Sequence, residues 1–241
     1  MSLDQEDGSR WNVYENPDDP REFTILTGSG QDLFKDPKRS AEARGLIHEY
    51  RGVELGNIPL LGTTPGMREE LGRGQEAIAY RMGPYAVREV IGIKDFHSAY
   101  GELDRVDAIN TVIEAGLPRW LHLPLHYALH VDPKEQKTYT LMDRIDSGIT
   151  AEDIIEYTDI PEHRARVVER EIGHRIEDAK DKVPGLFDEA HTVLSEALSA
   201  KGKNPSNYLT DWQTRNVLVE PLETPVVNRN YSMYVIDQYR A

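Results

Sequence analysis

The spacing of apolar residues divides the chain into a strand-like half followed by a helical half. Residues 70–80 and 85–93 carry two strand-like runs, and Met82-Gly83-Pro84 between them suits a hairpin turn. Over 98–115 the period lengthens. Leu103, Val106, Ile109 and Ile113 fall on one helical face, and Gly116 stands where a C-cap belongs. Two further strands are predicted over 123–131 and 138–145, with Asp132-Pro133-Lys134-Glu135 as the turn between them. After Gly148 helices dominate. Thr150 can cap a short helix over 151–157, with Asp153 as the acid of a capping box. Pro161 opens a longer helix whose apolar positions Val168, Ile172, Ile176 and Ala179 recur every three or four residues. Pro184-Gly185 is expected to interrupt it. Leu186, Ala190, Val193, Leu194, Ala197 and Leu198 then mark another amphipathic helix, ended near Gly202. Strand-like runs at 216–219 and 231–236 close the chain.

The N-terminal stretch reads differently. Residues 1–40 are polar and broken by Pro17, Pro20, Gly28, Gly30 and Pro37, which predicts an arm with one short strand at 23–26. Ala43, Leu46 and Ile47 can share one side of a short helix over 41–50, and 52–66 is loop-rich. The predicted organisation is α+β: an N-terminal arm over 1–67, a strand-rich lobe over 68–146 and a helical lobe over 147–241. A cleft is expected between the two lobes.

Composition narrows the function classes. With 241 residues, 39% apolar and 29% charged, the chain is globular and long enough for two lobes with their own cores. There is no cysteine, which excludes disulfides, thiol catalysis and thiolate-ligated zinc. A formal net charge of −14 opposes non-specific binding to nucleic acid and to anionic membranes. It does not oppose a nucleotide, which is held by local cations, amides and metal ions. The acidic start, Met1-Ser2-Leu3-Asp4-Gln5-Glu6-Asp7, lacks a signal-peptide pattern. The expected location is the cytoplasm.

The strongest chemical pattern is Leu209-Thr210-Asp211-Trp212-Gln213-Thr214-Arg215-Asn216-Val217-Leu218-Val219. Phosphoryl transfer needs a carboxylate that orients the attacking hydroxyl and oxygen ligands for magnesium. An Asp and an Asn five residues apart, followed at once by an apolar strand, can supply both. Downstream, Tyr234-Val235-Ile236-Asp237 places a second carboxylate at the end of an apolar strand. Leu71-Gly72-Arg73-Gly74-Gln75-Glu76-Ala77 is a glycine-rich turn between strands, not between strand and helix, which disfavours a dinucleotide or Walker loop. Tyr85-Ala86-Val87-Arg88 puts a cation on the next strand. His122, His126 and His130 recur every fourth residue, but no nearby acid completes a metal-ligand spacing. They read as packed or exposed histidines.

Taken in order over roughly 68–238, these segments resemble the protein-kinase-like superfamily. The resemblance implies a bilobal fold with a β-rich N-lobe and a helical, shortened C-lobe. It places Asp211 at the catalytic aspartate, and Asn216 and Asp237 at the metal ligands. Gly72 and Gly74 fall in the glycine-rich loop, and Arg88 stands where the family has lysine. By distance, Glu102 matches the acid of the following helix, with Asp104 and Asp107 as competitors. Met142-Asp143-Arg144-Ile145 is similar to the hinge that meets adenine, which nominates Asp143 and Ile145. The implied cofactors are ATP and Mg2+, and the implied acceptor is a protein serine or threonine or a small alcohol. The departures are Arg88, Leu209, Gln213, Gln238 and an end at Ala241, four residues after Asp237. They keep open a pseudokinase, a nucleotide- or protein-binding scaffold without efficient transfer.

Overall fold

Alternating side chains between residues 11 and 143 build the largest element of the molecule, an antiparallel sheet. In this computed structural model the described residues are 11–16, 18–35, 54–55, 58–59, 69–73, 77–82, 85–91, 96–145, 149–209, 212–226 and 229–236. The chain divides into two compact units. Unit 1 comprises Met1–Asn110 and Leu125–Arg144, and unit 2 comprises Thr111–Pro124 and Ile145–Ala241.

Unit 1 contains β1 (Trp11–Asn16), β2 (Asp19–Thr27), helix α1 (Gly28–Lys35), and the two-residue ladder of β3 (Glu54–Leu55) and β4 (Ile58–Pro59). It continues with β5 (Glu69–Arg73), β6 (Ala77–Met82) and β7 (Tyr85–Ile91), then the first part of helix α2 (Phe96–Ala115). The second part of α2 and β8 (Leu121–His122) belong to unit 2, and β9 (His126–Asp132) and β10 (Lys137–Asp143) return to unit 1. The sheet order is β1-β2-β9-β10-β7-β6-β5. The run expected as one strand over 70–80 comprises two strands, β5 and β6, which pair antiparallel. The expected strand over 123–131 is likewise broken before His126, where Pro124 has no N–H to donate. The N-terminal region holds two strands, and β2 lies between β1 and β9 with Phe23, Ile25 and Leu26 buried.

One face of the sheet is apolar where Phe23, Ile25, Leu129 and Val131 pack together with Val13. Each such side chain contributes on the order of 1.5–3 kcal/mol on burial. Two polar devices hold β9. The Asn110 carboxamide donates to His126 O at 2.7 Å and accepts from His126 N at 3.0 Å, so α2 supplies the pairing that a strand would otherwise give. The Thr27 hydroxyl lies 2.8 Å from His126 O and accepts from Gly30 N at 3.0 Å. A Cβ at Gly30 would stand 1.8 Å from Tyr127 O, so only glycine fits this approach of helix to strand.

Unit 2 carries α3 (Ala151–Ile155), α4 (Glu162–Ile172), a 3-10 turn (Gly173–Arg175) and α5 (Ile176–Ala200). After two more 3-10 turns (Pro205–Asn207 and Thr214–Asn216) come β11 (Val217–Val226) and β12 (Arg229–Val235). β12 pairs antiparallel with β11 and parallel with β8. The helical region breaks at Gly173, whose φ of +58° suits glycine, and not at Pro184-Gly185. Ala179, Val183, Leu186, Ala190, Leu194 and Leu198 form one buried stripe along α5, against α3 and β12. Continuity of that stripe outweighs the roughly 3 kcal/mol penalty of an internal proline. No described helix is long and apolar enough to cross a membrane.

Candidate functional site

In unit 2 the site is built at one end of the β11–β12 hairpin. The turn Thr214–Asn216 closes with Asn216 N donating to Gln213 O at 2.9 Å and leads straight into β11. Val217 pairs with Val235, and beyond that pair Ile236 N donates to Asn216 O at 3.0 Å. Asn216 is buried, while Val217, Val219 and Val235 beneath it are fully enclosed. An apolar ladder thus fixes the polar residue at its tip. Trp212 packs at tilted angles beside Phe187 at 4.9 Å and His191 at 5.2 Å, both on α5.

A second set of contacts ties this turn to the start of the helices. Val219 N donates to Ile149 O at 2.8 Å, and Thr150 bridges Leu218. Thr150 and Asp153 form the expected capping box of α3. Its acid does more than cap. Arg164 of α4 reaches Asp153 through two nitrogens, each at 2.7 Å, while Asp153 is 3% exposed. A buried carboxylate needs such charged and hydrogen-bonded partners. Nothing in the spacing of Asp153 and Arg164 announces this pair, because α3 and α4 are separate helices.

Two tyrosines of β12 anchor the same hairpin. Tyr231 OH donates to Asp178 at 3.0 Å and is fully buried, and burial together with that carboxylate raises its pKa strongly. Tyr234 OH donates to Glu220 at 2.7 Å and its pKa is pushed up to about 12, chiefly by burial. Tyr234 also stacks on His122 at 4.6 Å, and burial holds the His122 pKa below its ordinary value.

In unit 1 the sheet register aligns the predicted nucleotide-side residues. Gly72 pairs with Ala79, Ala79 with Arg88, and Arg88 with Thr140. Residues directly opposite in neighbouring strands share a face. Gly72, Ala79, Arg88 and Thr140 therefore form one row across four strands. Gly72 is exposed and Arg88 half-buried. At the far end of β10 the Asp143 carboxylate accepts from Tyr127 OH at 2.7 Å and from Leu125 N at 3.2 Å. Asp143 N donates to Leu125 O at 3.0 Å. The side chain of Asp143 is therefore engaged within unit 1. Ile145 follows, half-buried and outside any strand.

Of the residues nominated from sequence, the structure aligns Gly72 with Arg88 and joins Asn216 to Ile236. Glu102 lies in α2, but its side chain is outside the described residues, as are Gly74, Asp211 and Asp237.

No protein-family model matches the chain, and no curated protein matches its sequence. Among solved structures, a spectinomycin phosphotransferase in complex with ADP and spectinomycin is 14% identical, over 79% of this chain and 69% of that one, with a TM-score of 0.29. The likeness is too loose to bear on either the fold or the site, which stand on the geometry above.

Proposed function

We propose that this chain is an ATP- and Mg2+-dependent phosphotransferase of the protein-kinase-like superfamily, acting on a hydroxyl acceptor. The observation that carries the reading is the 3.0 Å bond from Ile236 N to Asn216 O at the tip of the β11–β12 ladder. Asp237 is the next residue in sequence after Ile236, the residue bonded to Asn216. Asn216 and Asp237 would hold Mg2+ and neutralise phosphate charge. Asp211 would orient the acceptor hydroxyl and take its proton. The new bond joins the acceptor oxygen to the γ-phosphorus, and ADP leaves with the electrons of the bond that breaks.

The row of Gly72 and Arg88 supports a phosphate-binding role for unit 1. Glycine lets backbone amides approach a phosphate, and Arg88 brings positive charge on the same face. Gly74 would complete the loop, Glu102 would orient Arg88, and the main chain at 143–145 would meet adenine. The acceptor is a protein serine or threonine or a small alcohol.

One observation favours a second reading. Arg88 carries a planar fork where the family's lysine offers a compact ammonium. A nucleotide-binding scaffold without efficient transfer would keep the rest of the arrangement. The test is direct. Mg·ATP should raise Tm, Asp237→Asn should abolish that rise, and Asp211→Ala should abolish transfer while leaving the rise in place. Binding without transfer supports the scaffold, and absence of any nucleotide-dependent shift defeats both readings.

A further inference from the structure

The sheet of unit 1 buries three metal-ligating side chains together. Glu22 is 6% exposed, His130 0% and Asp132 4%. One donor atom from each lies within 4.8 Å of the other two. The register explains the meeting. Thr24 pairs with His130 and Phe23 with Val131, so the next step along the ladder sets Glu22 across from Asp132. All three share the face opposite the apolar cluster of Phe23, Ile25, Leu129 and Val131.

Each of the three is held in place. His130 Nδ1 lies 3.0 Å from the Thr24 hydroxyl, and its ring stacks on Tyr139 at 6.1 Å. Asp132 accepts from the backbone of Lys134 and Glu135, both at 3.0 Å. Outer contacts of this kind orient ligands in metal sites. Lys134 Nζ is 4.0 Å from Glu22 and 68% exposed. His130 Nε2 stands 3.6 Å from Glu22, longer than a hydrogen bond.

We propose that Glu22, His130 and Asp132 bind a divalent transition metal of the zinc class, which staples β2 to β9. One imidazole and two carboxylates suit such an ion, whereas calcium and magnesium take oxygen ligands. Tetrahedral ligand bonds of roughly 2.1 Å set donors about 3.4 Å apart. The donors, all within 4.8 Å of one another, must therefore close by at most about 1.4 Å, within reach of side-chain rotation. The buried position and the strand-to-strand geometry make this a structural site.

The test uses the full chain, treated with EDTA, desalted and kept free of nucleotide. Zinc should bind at one ion per chain by calorimetry and raise Tm by roughly 5 °C at a hundredfold excess over its dissociation constant. Magnesium should do neither. Glu22→Gln and Asp132→Asn should each weaken zinc at least about tenfold, and the near-isosteric changes should leave the metal-free protein folded. Asp237→Asn should leave the zinc response intact, which separates this site from the proposed nucleotide metal. A wild-type protein with no zinc-dependent heat or Tm change overturns the proposal without any variant. So does a zinc response undiminished in both Glu22→Gln and Asp132→Asn.

Discussion

Unit 1 and unit 2 bury different kinds of side chain. Ten of the fourteen buried polar residues described lie in unit 1, most of them on the central strands β2, β9 and β10. In unit 2 the α5 stripe is wholly apolar, and the buried polar residues described are Thr111, Asp153, Asn216 and Ser232. An apolar core gains stability from area alone. A buried polar group gains it only when each donor and acceptor is matched. The contrast marks unit 2 as a scaffold for a short polar tip, and unit 1 as a sheet whose interior chemistry demands partners.

Truncation in each unit should separate these modes. Leu194→Ala in unit 2 removes a side chain that is 1% exposed and should lower stability by about 3 kcal/mol. Asn110→Ala in unit 1 leaves His126 N without its 3.0 Å acceptor and should lose roughly 2 kcal/mol, as one unmatched buried group requires. Urea denaturation of both variants measures the difference. If Asn110→Ala proves neutral, the polar bracing of β9 is not what holds the sheet.

A smaller effect of opposite sign should appear on β10. The hydroxyl of Thr140 is buried with no hydrogen-bond partner among the described residues. Thr140→Val keeps the shape and removes the unmatched group, so it should raise stability by up to about 1 kcal/mol. Thr140 is also the neighbour of Arg88 in the row that begins at Gly72. A loss of Mg·ATP affinity in a stabilised Thr140→Val protein would show that the hydroxyl serves the ligand.

The smallest effect concerns acid. A hydrogen bond from Lys182, reinforced by Asn230 and Tyr231, holds the Asp178 carboxyl below its ordinary value of 3.8. A depressed pKa means that the unfolded chain binds more protons, so this contribution is present above the unfolded value and fades as pH falls below it. Asp178→Asn removes that contribution, so it should lower Tm slightly at neutrality, and the gap from the unaltered protein should close as pH falls from about 5 to 3. The site is part-exposed, so the change should be modest.

Much of this architecture was legible in residue order. Helical spacing between Leu103 and Ile113 located α2, and Thr150 with Asp153 located the start of α3, because caps and periodicity are local. Asn216 was legible as a loop residue before an apolar strand for the same reason. Pro184 misleads because its local cost is outweighed by burial along the whole of α5. Asp153 with Arg164 is invisible as a pair because the contact joins two helices.

The histidine spacing shows the boundary most clearly. His122, His126 and His130 suggest a common face, yet His122 stacks on Tyr234 in unit 2 while His130 meets Glu22 and Asp132 in unit 1. By itself the sequence determined the α+β order of elements, the capping box and the local Asp211-to-Asn216 spacing, since each follows from neighbours within a few residues. Only the tertiary structure decided that Glu22 lies beside His130, that Gly72 shares a row with Arg88, and that Ile236 bonds to Asn216. Those are matters of strand register, and register is set by which faces the whole sheet must bury.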